Sequence, residues 1–267
     1  MATKPKVTET TAVTNWEAEM EEQAKAAAAQ EANTGGGSFF STKAGVLAFG
    51  GQALPNNEMA VLIVDGILEN VWYPGAYDPD EMIPPGCFAF GRDEADIAPH
   101  LSVVQNGTAQ SKLCKDCEKN AWGSAEKGAG KACGNRRRLA LITAGKLDEK
   151  TGAFTPILDP EHYTSSSVGY LKVPPTSIAG YANYVKQLSA GAKRPPHGVF
   201  TKVKVRPHPK KQFEISFEAL DLCPGAIMGA IMERHKQEAQ LIEFPYQLGD
   251  GAVKKAPVKT TGKKYTR

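Results

Sequence analysis

Met59-Ala60-Val61-Leu62-Ile63-Val64-Asp65-Gly66-Ile67-Leu68-Glu69-Asn70-Val71-Trp72-Tyr73 decides the fold class. Val61 to Val64 is an unbroken apolar run, the pattern of a buried strand. Asp65-Gly66 is a hairpin-turn signal, because both residues tolerate the positive φ that tight strand connections need. The stretch therefore reads as two strands, Met59 to Asp65 and Ile67 to Tyr73, joined by a turn. Upstream, Gly45 to Gly51 is another short β-like run. Downstream, Pro74-Gly75, Asp78-Pro79 and Pro84-Pro85-Gly86 punctuate the chain as turns. Arg138 to Thr143 reads as a further strand.

The second half carries helices and the clearest hairpin. Thr176 to Ala190 reads as a helix, capped by Thr176 or Ser177, with Ile178, Tyr181, Val185 and Leu188 at helical spacing. Val199, Thr201, Val203 and Val205 then alternate with Phe200, Lys202, Lys204 and Arg206. Beyond a Pro-rich turn, Phe213, Ile215 and Phe217 alternate with Glu214, Ser216 and Glu218. Alternation with period two means one face packs and the other meets solvent. That places Phe200, Lys202, Lys204 and Arg206 on the solvent face. A second helix is expected from about Gly225 to Leu241, with Ile227, Ile231 and His235 on one side.

Composition bounds the class. The chain has 267 residues, 41% of them hydrophobic, and no run of eighteen apolar residues, so no membrane partner is expected. Met1 to Thr14 is polar and lacks the apolar centre of a secretory signal, which points to the cytoplasm. The net charge of +3 hides a polarised distribution. Pro55 to Ile97 holds nine acids against Arg92, Lys172 to Lys211 holds nine bases and no acid, and Gln247 to Arg267 holds six bases against Asp250. Such a chain presents a basic surface unless folding interleaves the two halves.

Five cysteines, in a reducing setting, argue against a disulfide framework. Cys114-Lys115-Asp116-Cys117 is a C-x2-C knuckle, with Cys87 before it and Cys133 after it beyond fifteen intervening residues. The segment between Cys117 and Cys133 is rich in Gly, Lys and small residues, too little apolar surface to fold by burial. One structural Zn2+ on Cys87, Cys114, Cys117 and Cys133 would fix it. His100 is an alternative ligand, and unrelated reduced thiols are the plainer reading. Cys223 reads as a buried small apolar residue. A set of four protein ligands leaves no open position for water activation. No histidine is followed two positions later by Glu, and Leu113 stands where a nucleobase deaminase has proline before its knuckle. Gly130-Lys131 is followed by Ala132, so no phosphate loop is present. The chain is not expected to be an enzyme.

Cations beside aromatics suit single-stranded nucleic acid, where charges follow phosphates and rings stack on bases. Candidate contacts are Phe200, Lys202, Lys204 and Arg206 on the hairpin, Lys131, Arg136, Arg137 and Arg138 beside the cysteines, and Trp72, Tyr73 and Tyr77 near a strand end. Of Trp72 and Tyr73, one should be exposed, since neighbours in a strand face opposite sides. The hairpin cations also have a plainer use, pairing across the strands with Glu214 and Glu218.

The fold class expected is mainly β (α+β): an OB-type five-stranded barrel with a zinc-bearing insertion and one or two helices. Residues 1–37 read as a flexible N-terminal arm with a helical piece from Trp16 to Ala32 and a Gly35-Gly36-Gly37-Ser38 linker. Residues 38–223 are the core with the zinc insertion at about 87–133, 224–246 the C-terminal helix, and 247–267 a basic disordered tail.

Pro84-Pro85-Gly86-Cys87-Phe88, the Cys114 to Cys117 knuckle, Trp122-Gly123-Ser124-Ala125 leading to Gly130-Lys131-Ala132-Cys133, and the strand Arg138 to Thr143 come in an order that resembles phage-encoded single-stranded DNA-binding proteins with a zinc-bearing OB-type core, such as those of T-even phages. The resemblance spans roughly residues 38 to 220 and is one of pattern. It implies cooperative, sequence-tolerant coating of single-stranded DNA in replication and recombination, with contacts to other copies along the strand and to replication proteins. Two departures stand out: residues 1–37 are acidic where the family has a basic arm, and the chain ends in lysines where the family has an acidic tail. The alternative is a zinc-braced protein-interaction or scaffolding module with weak nucleic-acid binding. RNA in place of DNA stays open, since no residue recognisably reads a 2′-hydroxyl.

Overall fold

The structure is a computed structural model that describes residues 39–75, 83–126 and 128–246, together with Met20 and Gln23. The expected arm and linker, the Lys-rich tail and Tyr77 therefore lie outside the described residues, apart from Met20 and Gln23. Short strands β1 (Phe39–Phe40), β2 (Ala48–Phe49) and β3 (Gln52–Ala53) precede the long β4 (Glu58–Trp72). Then come β5 (Cys87–Gly91), α1 (Leu101–Gln105), β6 (Cys133–Thr143), β7 (Gly145–Leu147), β8 (Phe154–Pro156) and α2 (Pro160–Ser165). The chain continues through β9 (Gly169–Val173), α3 (Pro175–Gln187), β10 (Val199–His208), β11 (Gln212–Leu222) and α4 (Gly225–Leu241).

Seven strands form one sheet, curled into a half-barrel, in the order β1-β9-β6-β4-β10-β11, with β5 also paired to β4. β1 runs parallel to β9 and the other pairs are antiparallel. The class is mainly β with α-helices, and the sheet has seven strands where five were expected. β4 is its spine. From Val61 to Trp72 one edge pairs with β6, while the other edge serves β10 over Glu58–Leu62 and β5 over Leu68–Trp72.

Asp65-Gly66 does not make the expected turn. β4 runs straight through it, with one bulge in its pairing to β6 between Ile63 and Asp65. A bulge bends a strand without ending it. Asp65 tolerates the strand interior because Arg92 donates to both its oxygens, at 3.0 and 2.6 Å. Gly66 leaves room for buried Leu139: a Cβ there would lie 2.8 Å from Leu139 Cδ2, so that side chain would have to shift.

Each face of the sheet has its own core. One carries Leu62, Ile67, Phe88, Ile142 and Phe200 under α2 and α4, with Ile227 and Ile231 of α4 packed into it. The other carries Val61, Ile63, Leu139, Leu171 and Val203 under α3: Ile178, Tyr181, Val185 and, just past its end, Leu188 pack there as their spacing predicted, and Tyr184, which the spacing did not single out, is buried with them. Ser177 is not a cap but a buried acceptor for the Ile215 N–H at 2.9 Å. Cys223 is buried in the first core, as expected.

Phe200 corrects the sequence reading. It is 1% exposed, and its neighbours Val199 and Thr201 are buried with it. β10 lies between β4 and β11, with apolar layers on both sides, and a register shift against β11 falls between Phe200 and Thr201. Alternation in the sequence therefore overstates solvent contact at that end of the hairpin.

Arg138 is a second correction. It is 1% exposed, against Glu69 at 0%. Its Nε donates to Glu69 at 2.5 Å, and Nη1 donates to the carbonyls of Ile242 and Phe244 at 2.9 Å each. A buried charge is stable only when paired and hydrogen-bonded, so this arginine is committed to the fold. Arg138→Ala should lower the unfolding free energy by about 3–5 kcal/mol, the usual cost of stranding a buried ionic partner. Urea unfolding measures it, and a loss below about 1 kcal/mol would show that the pair does not hold the sheet.

Candidate metal centre and nucleic-acid interface

The four candidate ligands come from three separated segments and line one cavity of about 20 Å³. Cys87 opens β5 and Cys133 opens β6, and both stand opposite Trp72, one on each side of β4. Paired residues in neighbouring strands share a face, so the two cysteines flank the indole. Gly86 lets the chain pass the ring: a Cβ there would sit 2.7 Å from Trp72 Cζ3. The knuckle is anchored above by the Cys114 N–H donating to Ile97 O at 2.8 Å and by Asn120 Nδ2 donating to Cys114 O at 2.8 Å. Asn135 Nδ2 donates to Asn70 Oδ1 at 2.6 Å beneath it.

All five cysteines are free thiols. Cys87, Cys114 and Cys133 are buried, and Cys117 is half-exposed. Burial pushes the Cys133 thiol up to about 12, with the neighbouring sulfurs of Cys114, Cys87 and Cys117 adding to the shift. Burial raises Cys87 and Cys114 too. The side chains share a cavity, but among the described residues no three His, Cys, Asp or Glu groups stand at metal-ligand spacing. His100 is turned to another task. It caps α1, its Nδ1 accepting from the Ser102 N–H at 3.2 Å, and its ring stacks on Phe88.

The candidate nucleic-acid contacts separate into groups. On the hairpin, Lys202 pairs with Glu218 at 2.8 Å and Lys204 with Glu58 at 2.7 Å. The cross-strand use of these two lysines is thus realised, with Glu58 of β4 in place of Glu214 for Lys204. Arg206 is exposed and has no ion-pair partner among the described residues. Trp72 is half-buried with Lys119 Nζ 5.4 Å from its ring centre, and Tyr73 is exposed on the opposite side. Arg137 faces Glu94 and Tyr181 in a cavity of about 300 Å³, where burial pulls its pKa down.

Arg136 and Tyr73 belong to a cluster the sequence did not disclose. Lys172 of β9 lies between the rings of Phe39 and Tyr246, 4.5 and 4.4 Å from their centres. Its ammonium is pulled down to about 8, first by burial and then by the nearby Arg138 and Arg136, against the pull of Glu69. Tyr246 OH donates to Glu69 at 2.5 Å and accepts from Lys172 at 2.6 Å. Pairing of β6 with β9 brings Lys172 beside Arg138, and the hydrogen bonds of Tyr246 to Lys172 and Glu69 bring in the segment after α4. Trp122, quoted in the sequence only as part of a motif, is 80% exposed.

Comparison with protein-family models, with curated proteins and with solved structures finds no match.

The thiol environments lead to a chemical expectation. In metal-free protein at pH 8, a thiol at about 12 holds thiolate in about one molecule in 10⁴. Iodoacetamide should therefore label half-exposed Cys117 at least about tenfold faster than Cys133, since the thiolate is the nucleophile. Peptide mass spectrometry at timed quenches reads the rates, and equal labelling would mean that Cys133 is not buried as described.

Proposed function

We propose that the protein binds single-stranded DNA without catalysis, coating exposed strands in replication and recombination, with one structural Zn2+ on Cys87, Cys114, Cys117 and Cys133. The observation that carries the reading is the convergence of those four thiols on one cavity beneath a segment rich in exposed and half-exposed cations. Soft thiolate donors suit zinc, and a chain of Gly, Lys and small residues gains from the metal the fixing energy that its own burial does not supply. In the described part of that segment, Lys112, Lys115, Lys119, Lys131, Arg136 and Arg137 outnumber Asp116, Glu118 and Glu126. Cations of this density follow a phosphate chain, and nearby exposed Tyr73 offers a ring face.

The sheet is read as an OB-type framework. Support comes from β4, one long strand bulged at mid-length and shared between two neighbours along one edge, the device that curls a sheet toward closure. The hairpin lysines are left out of the interface because acids already neutralise them. The surface instead lies at the end of β4, β5 and β6 where the cysteines stand. The resemblance to phage single-stranded DNA-binding proteins supplies the expectation that copies also contact one another along the strand and meet replication proteins.

The scaffolding alternative keeps one observation of its own. Leu101 and Val104, three residues apart on α1, are 66% and 53% exposed and form a small apolar face.

Two measurements test the proposal. Metal-replete protein should carry one equivalent of zinc by elemental analysis, and Cys114→Ser with Cys117→Ser should lose it. Retention of a full equivalent in that double variant would refute the ligand set. Fluorescence anisotropy with labelled oligo-dT and a matching duplex, at low and high salt, should give tight single-strand binding that weakens steeply with salt. Changing Lys115, Lys119 and Lys131 to Glu should weaken it roughly tenfold or more. Weak and equal binding to both strands would select the scaffolding reading.

A further inference from the structure

We propose that Trp122 is a base-stacking residue, presented to a single-stranded nucleic acid by the cysteine-bearing segment. The inference rests on the single-strand reading above and deepens it by naming the ring that takes a base. At 80% exposure, Trp122 is more open than any other large apolar side chain among the described residues. An indole is costly to leave in water, because it removes one of the largest apolar surfaces from possible burial.

The ring stands on a fixed support. Gly123 has a φ of +84° and turns the chain back sharply. Its N–H donates to Gly130 O at 2.9 Å, and the Ala125 N–H donates to the same carbonyl at 3.2 Å. Ser124 Oγ donates to Lys119 O and accepts from the Ala132 N–H, both at 2.9 Å. The residues on either side of the tryptophan are thus pinned while its side chain is free. Lys131 Nζ lies 5.5 Å from the indole centre and donates to Asn120 Oδ1 at 3.2 Å. Asn120 in turn donates to the Cys114 carbonyl, so the ring and its cation are tied to the knuckle.

The chemistry around the ring selects the partner. Lys131 beside it, with Lys115 and Lys119 on the same segment, calls for a polyanion. The open indole calls for flat apolar faces. Unpaired nucleotides carry both at a regular spacing, and every base has a face to stack. A duplex hides those faces, and an acidic peptide supplies charge without them. On binding, a base would lie against the indole while Lys131 follows the adjoining phosphate. Trp72 is unsuited to that role, since it is half-buried against Gly86 beneath Lys119, between the two cysteine strands.

The test titrates oligo-dT into full-length, metal-replete wild type, W122F and W122A. It follows labelled-strand anisotropy and intrinsic tryptophan emission, with thermal melting as a control. One stacked base is worth roughly five- to 150-fold in affinity. W122A should bind at least fivefold more weakly with an unchanged melting temperature. W122F should stay within about threefold of wild type, because a phenyl ring still stacks, yet should lose most of the emission quenching seen in wild type. If wild type binds oligo-dT tightly but W122A binds equally well, the single-strand reading stands and the Trp122 proposal falls. Should W122F keep the full quenching, a different tryptophan meets the bases and the proposal falls as well. If wild type itself ignores oligo-dT, both fall together.

Discussion

A carboxylate and a guanidinium, Glu69 and Arg138, lie buried side by side in the middle of a sheet, and much of the chain is arranged to keep them satisfied. Glu69 sits on β4 and Arg138 on β6, two residues off direct register and so on the same face, since Ile67 opposes Arg138 and Arg136 opposes Glu69. A slip of the two strands by even one residue would send one charge to the opposite face, and neither would find its partner. Nη1 of Arg138 reaches the carbonyls of Ile242 and Phe244, which fastens the segment after α4 across the sheet. Phe90 and Phe244 lie 4.3 Å from the guanidinium carbon. With Tyr246 on the other carboxylate oxygen, every strong partner of the pair is supplied from within. Desolvating two ions costs several kcal/mol each, so the interaction is better understood as fixing register and closure than as adding net stability.

The same economy governs the rest of β4. Its first half is apolar and buried on both faces, whereas its second half carries Asp65, Glu69 and Asn70 inside. Each of these polar groups has a named partner: Arg92, Arg138 and Asn135. Glu238 of α4 follows suit, accepting from Tyr170 OH at 2.6 Å, and burial raises its pKa. The fold therefore uses polar contacts to specify which elements meet, and apolar layers to hold them once they have met.

Legibility in the sequence tracked how local each signal was. The apolar run Val61 to Val64, the period-two hairpin and the two long helices were read correctly because propensity and periodicity act within a few residues. Asp65-Gly66 was misread because the acid's partner, Arg92, lies twenty-seven residues away and the glycine answers to Leu139. Phe200 was misread because burial on the second face of β10 comes from elements on both sides of the sheet. At the candidate site, the cysteines were visible by spacing, whereas the cluster of Tyr73, Arg136, Lys172 and Tyr246 arises from strand pairing and from the segment after α4 that folds back onto Lys172 and Glu69. Trp122 was in view as a motif letter, but its exposure follows from the short-range bonds around Gly123 and Ser124, which no periodicity encodes.

Charge shows why a protein with a formal net charge of only +3 can offer a basic surface. The acid-rich stretch Pro55 to Ile97 spends its strongest groups internally: Glu58 on Lys204, Asp65 on Arg92 and Glu69 on Arg138. In the base-rich stretch Lys172 to Lys211, Lys204 takes Glu58, Lys202 takes Glu218 and Lys172 is drawn to Glu69, while Arg206 stays exposed. Among the described residues, Lys112, Lys115, Lys119 and Lys131 of the cysteine-bearing segment enter no such ion pair. Its lysines lie on a loop too poor in apolar residues to bury them, and pair instead with ring faces or solvent. Counting charges along the chain points to the hairpin, while following each charge to its partner points to the knuckle. That difference is why the proposed interface sits beside the cysteines and not on the strand with the most lysines.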